Sequence, residues 1–229
     1  MNMKRYALSI LLVATGCGLA TTSARAQQAE GWYVGGNFGR STLHYDTSVY
    51  EHYIESLANS QESLKFTSTK VERRANAWWA DAGYMRWSHV GIELDFLHLG
   101  ELTYHGQATL TTVGRPNRSL VAMTDVSSRG PALTLRGRVP LADGLDLNLR
   151  LGDYYGRTAT TRGYAIGTFY QPTTKTSTVS SLLLGAGLSY SLDHHWSLHA
   201  DYLHVNQTGD SNTGRFNVDL ASAGVSYTF

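Results

Sequence analysis

Eight ionisable side chains lie along segments that otherwise alternate apolar and polar: Asp81, Glu93, Asp95, Arg136, Arg138, Arg150, His199 and Asp201. Their chemistry depends on where their shared face points. Facing water, they form an ordinary solvated stripe. Enclosed, they must pair, because an unpartnered buried ion costs several kcal/mol. Strand parity puts all eight on the face opposite the leucines. Carboxylates and guanidiniums should then meet across an enclosed space, with Glu93 to Arg136 the first pair expected. His199 would add proton sensitivity there, since imidazole gains charge near neutral pH.

Other chemistries find less support. A hydrolase needs a nucleophile, a base beside it and an acid to orient that base. The best candidate is Tyr202-Leu203-His204-Val205-Asn206, which faintly resembles the His-x-Ser of lipid A 3-O-deacylases. Asn206 stands where the serine would be, and parity points His204 towards lipid near the outer rim. His194 and His195 adjoin in a turn beside Asp193, and neighbours on a strand point apart, so a solvated turn is the better reading than a metal site. Gly185 and Gly187 make no phosphate loop; they relieve crowding in a narrow interior. No catalytic, cofactor-binding or metal residue is assigned.

The elements that would hold these groups are strands. Trp32 to His44, Ala75 to Trp87, Val90 to Gly100, Ser127 to Val139, Leu145 to Arg157, Thr178 to Leu192, Trp196 to Asn206 and Phe216 to Phe229 each alternate with period two. Ser88-His89, Pro140 to Gly144 and Asp193 to His195 are short turns. Connections 45–74, 101–126, 158–177 and 207–215 are longer and rich in Ser, Thr, Asn and Gly. Short turns on one side and long loops on the other mark a transmembrane barrel. The first two long connections suffice to extend a strand hairpin above the membrane.

A soluble antiparallel barrel would point its apolar residues inward instead. Ile92, Leu94 and Phe96 alternate with Glu93 and Asp95; Leu133 and Leu135 with Thr134 and Arg136; Leu145 to Leu151 with Asp146, Asn148 and Arg150. Aromatics at strand ends decide for the membrane: Trp32, Tyr84, Trp87, Tyr190, Trp196, Tyr202, Tyr227 and Phe229 suit interfacial girdles. Lys4 and Arg5, an apolar run from Ala7 to Ala20 and the site Ala24-Arg25-Ala26 read as a cleaved export signal over residues 1–26. That run is too short for a spanning helix. The one cysteine, Cys17, lies inside the signal, and Ala14-Thr15-Gly16 lacks the leucine expected before a lipidated cysteine. The mature chain, 27–229, then offers no disulfide or thiolate. A net charge of +1 and a sequence pI near 7.9 give no basic stripe for nucleic acid.

These residues together resemble the OmpA-like family of small eight-stranded outer-membrane barrels. Trp32-Tyr33-Val34-Gly35 is similar to its opening strand. Gly83-Tyr84 with Val90-Gly91-Ile92-Glu93 is similar to its second hairpin, and Gly130 to Arg136 with Pro140 to Gly152 to its fourth strand, turn and fifth strand. The final Gly224-Val225-Ser226-Tyr227-Thr228-Phe229 is the nearest match. The resemblance implies an all-β, eight-stranded antiparallel up-and-down transmembrane barrel in the outer membrane of a Gram-negative bacterium. It implies outer-membrane lipid, lipopolysaccharide and the barrel assembly machinery as partners, with Tyr227 and Phe229 as the assembly signal.

The family also contains a lumenal ion-pair network that acts as a small gate. Glu93 and Arg136 fall on its acidic and basic positions, but its other acid is Ser189 here and its other base is His199. No counterpart of the peptidoglycan-binding domain is expected after Phe229. An eight-stranded interior is filled by its own side chains, so a packed polar core is expected. The expected role is structural support of the envelope or surface interaction through the loops, with an unidentified extracellular ligand. A narrow gated channel built on Glu93, Arg136 and His199 is the alternative, and a lipid A-modifying enzyme the third.

Overall fold

The computed structural model describes residues 30–45, 62–87, 89–112, 117–166 and 169–229. The export signal expected over 1–26 lies outside the described residues, as does Ser88 of the first short turn. Nine strands occur among them: β1 (Gly31–Tyr45), β2 (Glu62–Glu72), β3 (Arg74–Arg86), β4 (Val90–Thr112), β5 (Arg118–Ala142), β6 (Leu145–Ile166), β7 (Phe169–Ser191), β8 (Trp196–Thr208) and β9 (Phe216–Thr228). All pairings are antiparallel. β1 pairs with both β3 and β9, and β4 with β5, so eight strands close an up-and-down ring. β2 continues the line of β3 past Arg73 and pairs with the upper half of β4.

Two of the expected long connections, 101–126 and 158–177, are therefore largely strand, and the described part of 45–74 holds β2. β4 with β5 and β6 with β7 run 22 to 25 residues each, about twice what a tilted strand needs to cross a bilayer. The second hairpin, β6 with β7, was expected as a loop. Its stretch Thr158-Ala159-Thr160-Thr161 and the facing Thr173-Thr174 are β-branched residues that favour a pleated surface. Ser and Thr content alone misread them as loop. Of the expected long connections, 207–215 is largely a turn, with Gly209 and Gly214 at φ 83° and 87°. There the Asp210 carboxylate accepts the Asn212 and Thr213 amides at 2.9 and 3.0 Å, and those bonds hold its carboxyl below the usual aspartate range.

The wall separates the two side-chain sets as the alternation requires. Leu135 is 50% exposed and Arg136 beside it 1%. Leu133, Leu149, Ile92 and Leu94 are likewise outside, while Arg150 and Glu93 are inside. At the short-turn end Trp32, Tyr84, Trp87, Tyr190, Trp196, Tyr227 and Phe229 ring the outer surface. Tyr227 meets Trp196 and Phe229 edge-on at 5.0 and 5.2 Å. Phe38, Trp78, Phe96, Tyr155 and Tyr202 are exposed towards the other end. Tyr202 thus belongs to the upper girdle.

The interior corrects one expectation. Its buried charges lie in the half nearer the short turns, while the loop-end half holds buried hydroxyls such as Ser128, Thr158 and Thr208 among apolar side chains. Towards the loop end it is filled by Leu43, Trp79, Leu97, Leu99, Leu183 and Leu203 with further buried apolar neighbours. These side chains share inward parity with the charged ones: 93, 95, 97 and 99 alternate along the same face of β4. A β-bulge between His98 and Glu101, with Gly100 at φ 82°, inserts one residue so that both Leu99 and Leu102 face in.

Candidate functional site

Glu93 is the centre of the polar half. Its Oε2 accepts hydrogen bonds from Tyr33 Oη at 2.6 Å and Arg136 Nη1 at 3.1 Å. Its Oε1 accepts from Arg150 Nε at 2.8 Å. Arg150 Nη1 donates to Asp201 Oδ1 at 2.5 Å, and Asp201 Oδ2 lies 3.1 Å from His199 Nδ1. Arg136 Nε and Nη2 donate to Asn148 Oδ1 at 3.1 and 3.0 Å. Asn148 Nδ2 in turn donates to Ser189 Oγ at 2.8 Å. Six strands thus contribute to one connected network.

Strand parity explains why these groups meet. Each sits between two residues that face outward, so the pleat turns it into the bore. Tyr33 lies between exposed Trp32 and Val34, and its ring lies 5.0 Å under the Arg136 guanidinium. The Arg150 guanidinium covers the Trp79 ring at 4.8 Å, where the polar half meets the apolar one. Glycines leave the needed room. A Cβ at Gly35 would come within 2.6 Å of Asp81 Oδ2, and one at Gly187 would overlap Asp201 Oδ1.

Not every expected site residue joins this network through ion pairs. Arg138 lies lower, with Nε 3.8 Å from Asp146 Oδ2. Asp95 Oδ2 accepts from Thr134 Oγ1 at 3.0 Å, and Asp81 Oδ1 accepts from Asn37 Nδ2 at 3.1 Å; neither is ion-paired among the described residues. Sequence reasoning missed Tyr33, Asn37, Trp79 and Asn148 as partners. Their parity is readable in the sequence, but nothing in a neutral side chain marks it as the partner of an ion.

The remaining sequence candidates are dispersed. His204 sits on the outer wall, its Nδ1 2.7 Å from Asp219 Oδ1, while His44 Nε2 approaches Asp219 Oδ2 at 2.7 Å. That supplies an acid and a base, but among the described residues no hydroxyl is hydrogen-bonded to His204. In the last short turn Asp193 Oδ1 accepts the backbone amides of His195 and Trp196, both at 2.7 Å. The Trp196 amide, then that of His195, holds the Asp193 carboxyl below the usual aspartate range. Among the described residues no group of three His, Cys, Asp or Glu could hold a metal ion.

A closed up-and-down ring with leucines outside, ionised groups enclosed and two aromatic girdles is a transmembrane β-barrel of the outer-membrane type. The chain belongs to the OmpA-like transmembrane domain family, whose model matches residues 27–229. It is 29% identical over 230 residues to Outer membrane protein A of Serratia marcescens, across 99% of this chain and 56% of that protein. Against Outer membrane protein A of Salmonella typhi the identity is 28% over 229 residues, across 99% of this chain and 56% of that protein. The chain spans about half the length of the curated relatives it matches. Among solved structures, Neisserial surface protein A superimposes with a TM-score of 0.44 at 15% identity, covering 87% of this chain and 97% of that one. The protein is thus an outer-membrane barrel of the Gram-negative kind, set among lipid and lipopolysaccharide.

Proposed function

We propose that this barrel serves the envelope as a closed scaffold, acting through its wall and by presenting its loops to the exterior for surface interaction, and that it neither conducts nor catalyses. The observation that carries this reading is a bore filled at two successive levels. Below, Glu93 is fully buried between Arg136 and Arg150. Above, Trp79, Leu97, Leu99, Leu183 and Leu203 are buried together. An ion passing through would have to displace a satisfied charge network and then cross an apolar plug, where desolvation costs several kcal/mol.

The lumenal set Glu93, Asp95, Arg136, Arg138, Arg150, His199 and Asp201 is then the polar core that fixes the register of the closed wall. Tyr227 and Phe229, outward and in edge contact, are the candidate recognition signal for the assembly machinery. Loop tips and hairpin walls are the surfaces offered to an extracellular ligand.

Planar-bilayer recording of the purified barrel tests the proposal, with electrical silence as the expected result. Reproducible unitary conductance that changes with Arg136→Ala would overturn it in favour of the gated channel. Lipid A mass spectra with and without the gene should be identical; a gene-dependent change in acylation would restore the enzyme.

A further inference from the structure

We infer that His98, Arg129 and Arg157 form a phosphate-binding site on the outer wall, taking the phosphate group of an outer-leaflet phosphoglycolipid. His98 is paired with Arg129 across β4 and β5, and Arg129 with Arg157 across β5 and β6. The three side chains therefore stand in one row at one height. Both arginines are exposed, and among the described residues neither is ion-paired to a carboxylate. Like charges placed directly opposite on a sheet destabilise it. A sheet that keeps two adjacent guanidiniums on one face gains from an anion shared between them.

His98 is set up as a donor to the same anion. The Gly100 amide donates to its Nδ1 at 3.2 Å, which leaves Nε2 as the proton-bearing nitrogen. Trp78 stacks on the ring at 5.9 Å and 6° and fixes its plane. Between the three lies a groove of about 280 Å³, lined by His98, Ser127, Arg129, Arg157, Ala159 and Thr176.

The height of the row identifies the source of the phosphate. Directly below it on the same face come Phe96, Pro131 and Tyr155, all exposed. From Val139 at the lower rim, β5 climbs roughly 25 Å to Arg129, at ~3.3 Å per residue and a ~40° tilt. That is the thickness of the apolar band, so the guanidiniums emerge where lipid headgroups begin. A guanidinium pair matches phosphate oxygens in a fork geometry that a single lysine does not offer. The opposite wall has a contrasting arrangement: there His44 and His204 are both satisfied by Asp219 at 2.7 Å. The cationic row has no such internal partner.

Thermal-shift and native mass spectrometry of the purified full chain in detergent test the site, with bis-phosphorylated lipid A, dephosphorylated lipid A and inorganic phosphate as probes. Bis-phosphorylated lipid A should be retained at least ~10-fold better than the dephosphorylated form. R129Q/R157Q should abolish that preference, R129K/R157K should keep part of it, and H44N/H204N on the opposite wall should leave it intact. Heat-modifiable mobility on gels confirms that each variant is folded. Equal retention of the two lipids by the parent, or an unchanged preference in folded R129Q/R157Q, would overturn the site. Equivalent binding of inorganic phosphate alone would overturn its assignment to lipid.

Discussion

Asp81 and Asp95 stand directly opposite one another on β3 and β4, both buried, and each has one carboxylate oxygen without a hydrogen-bond partner. Glu93, two residues from Asp95, has both oxygens bonded to guanidiniums. Glu93 and Asp95 should therefore respond differently to neutralisation. Glu93→Gln leaves two buried guanidiniums short of a counter-charge and should lower unfolding stability by about 3–5 kcal/mol. Asp95→Asn removes a like-charge contact and should change it by about 1 kcal/mol or less, towards greater stability. Urea unfolding in lipid vesicles, followed by tryptophan emission, compares them. Equal losses in both variants would count against Glu93 as the hub.

A second expectation concerns acid. The Asp193 carboxylate is bonded to two backbone amides in the turn between β7 and β8, and its folded pKa lies below the ordinary value. A depressed carboxyl stabilises the folded state above its unfolded pKa of ~4 and loses that contribution as pH falls through the folded value. Asp193→Ala should accordingly unfold at lower urea than the parent at pH 7, with the gap closing below about pH 4. Unfolding midpoints measured across that range check the sign. A gap that widened in acid would contradict it.

The alternation on the lower wall was legible in the sequence because it is strict: Leu133, Leu135, Arg136 and Arg138 declare their faces without help from tertiary context. The same rule reached Glu93 with Arg136, which meet at 3.1 Å. It would have reached the apolar plug too, since Leu97 and Leu99 follow Glu93 and Asp95 in step. A leucine's type does not tell a lumenal position from a lipid-facing one. The pairing of Arg150 with both Glu93 and Asp201 was not legible, because parity gives a face and not the height or stagger that brings β4, β6 and β8 together. The extension of β6 and β7 was missed because Thr-rich segments suit loops and strands alike.

Depth in the bilayer should set the cost of charge on the outer face. Leu135 lies near the middle of the exposed stretch of β5 between Val139 and Arg129, and Val139 near its lower rim. Leu135→Arg should cost ~2–4 kcal/mol and Val139→Arg ~0–1 kcal/mol. Unfolding titrations in vesicles of defined thickness measure both. Equal costs at the two positions would mean that the apolar band is not centred where the girdles put it.

The last expectation separates the two layers that fill the bore. If each seals it independently, Arg136→Ala alone should leave the protein silent in planar bilayers, because Leu97, Leu99 and Leu203 still close the loop end. Leu97→Ala with Leu99→Ala should also remain silent, since the Glu93 network is untouched, while destabilising the barrel by about 2–5 kcal/mol for each cavity. Current should appear only when both layers are opened in one chain, and it should favour cations, since removing the Arg136 charge leaves Glu93, Asp201, Asp81, Asp95 and Asp146 facing Arg138, Arg150 and His199. Conductance in Arg136→Ala alone would show that the apolar layer does not seal the bore.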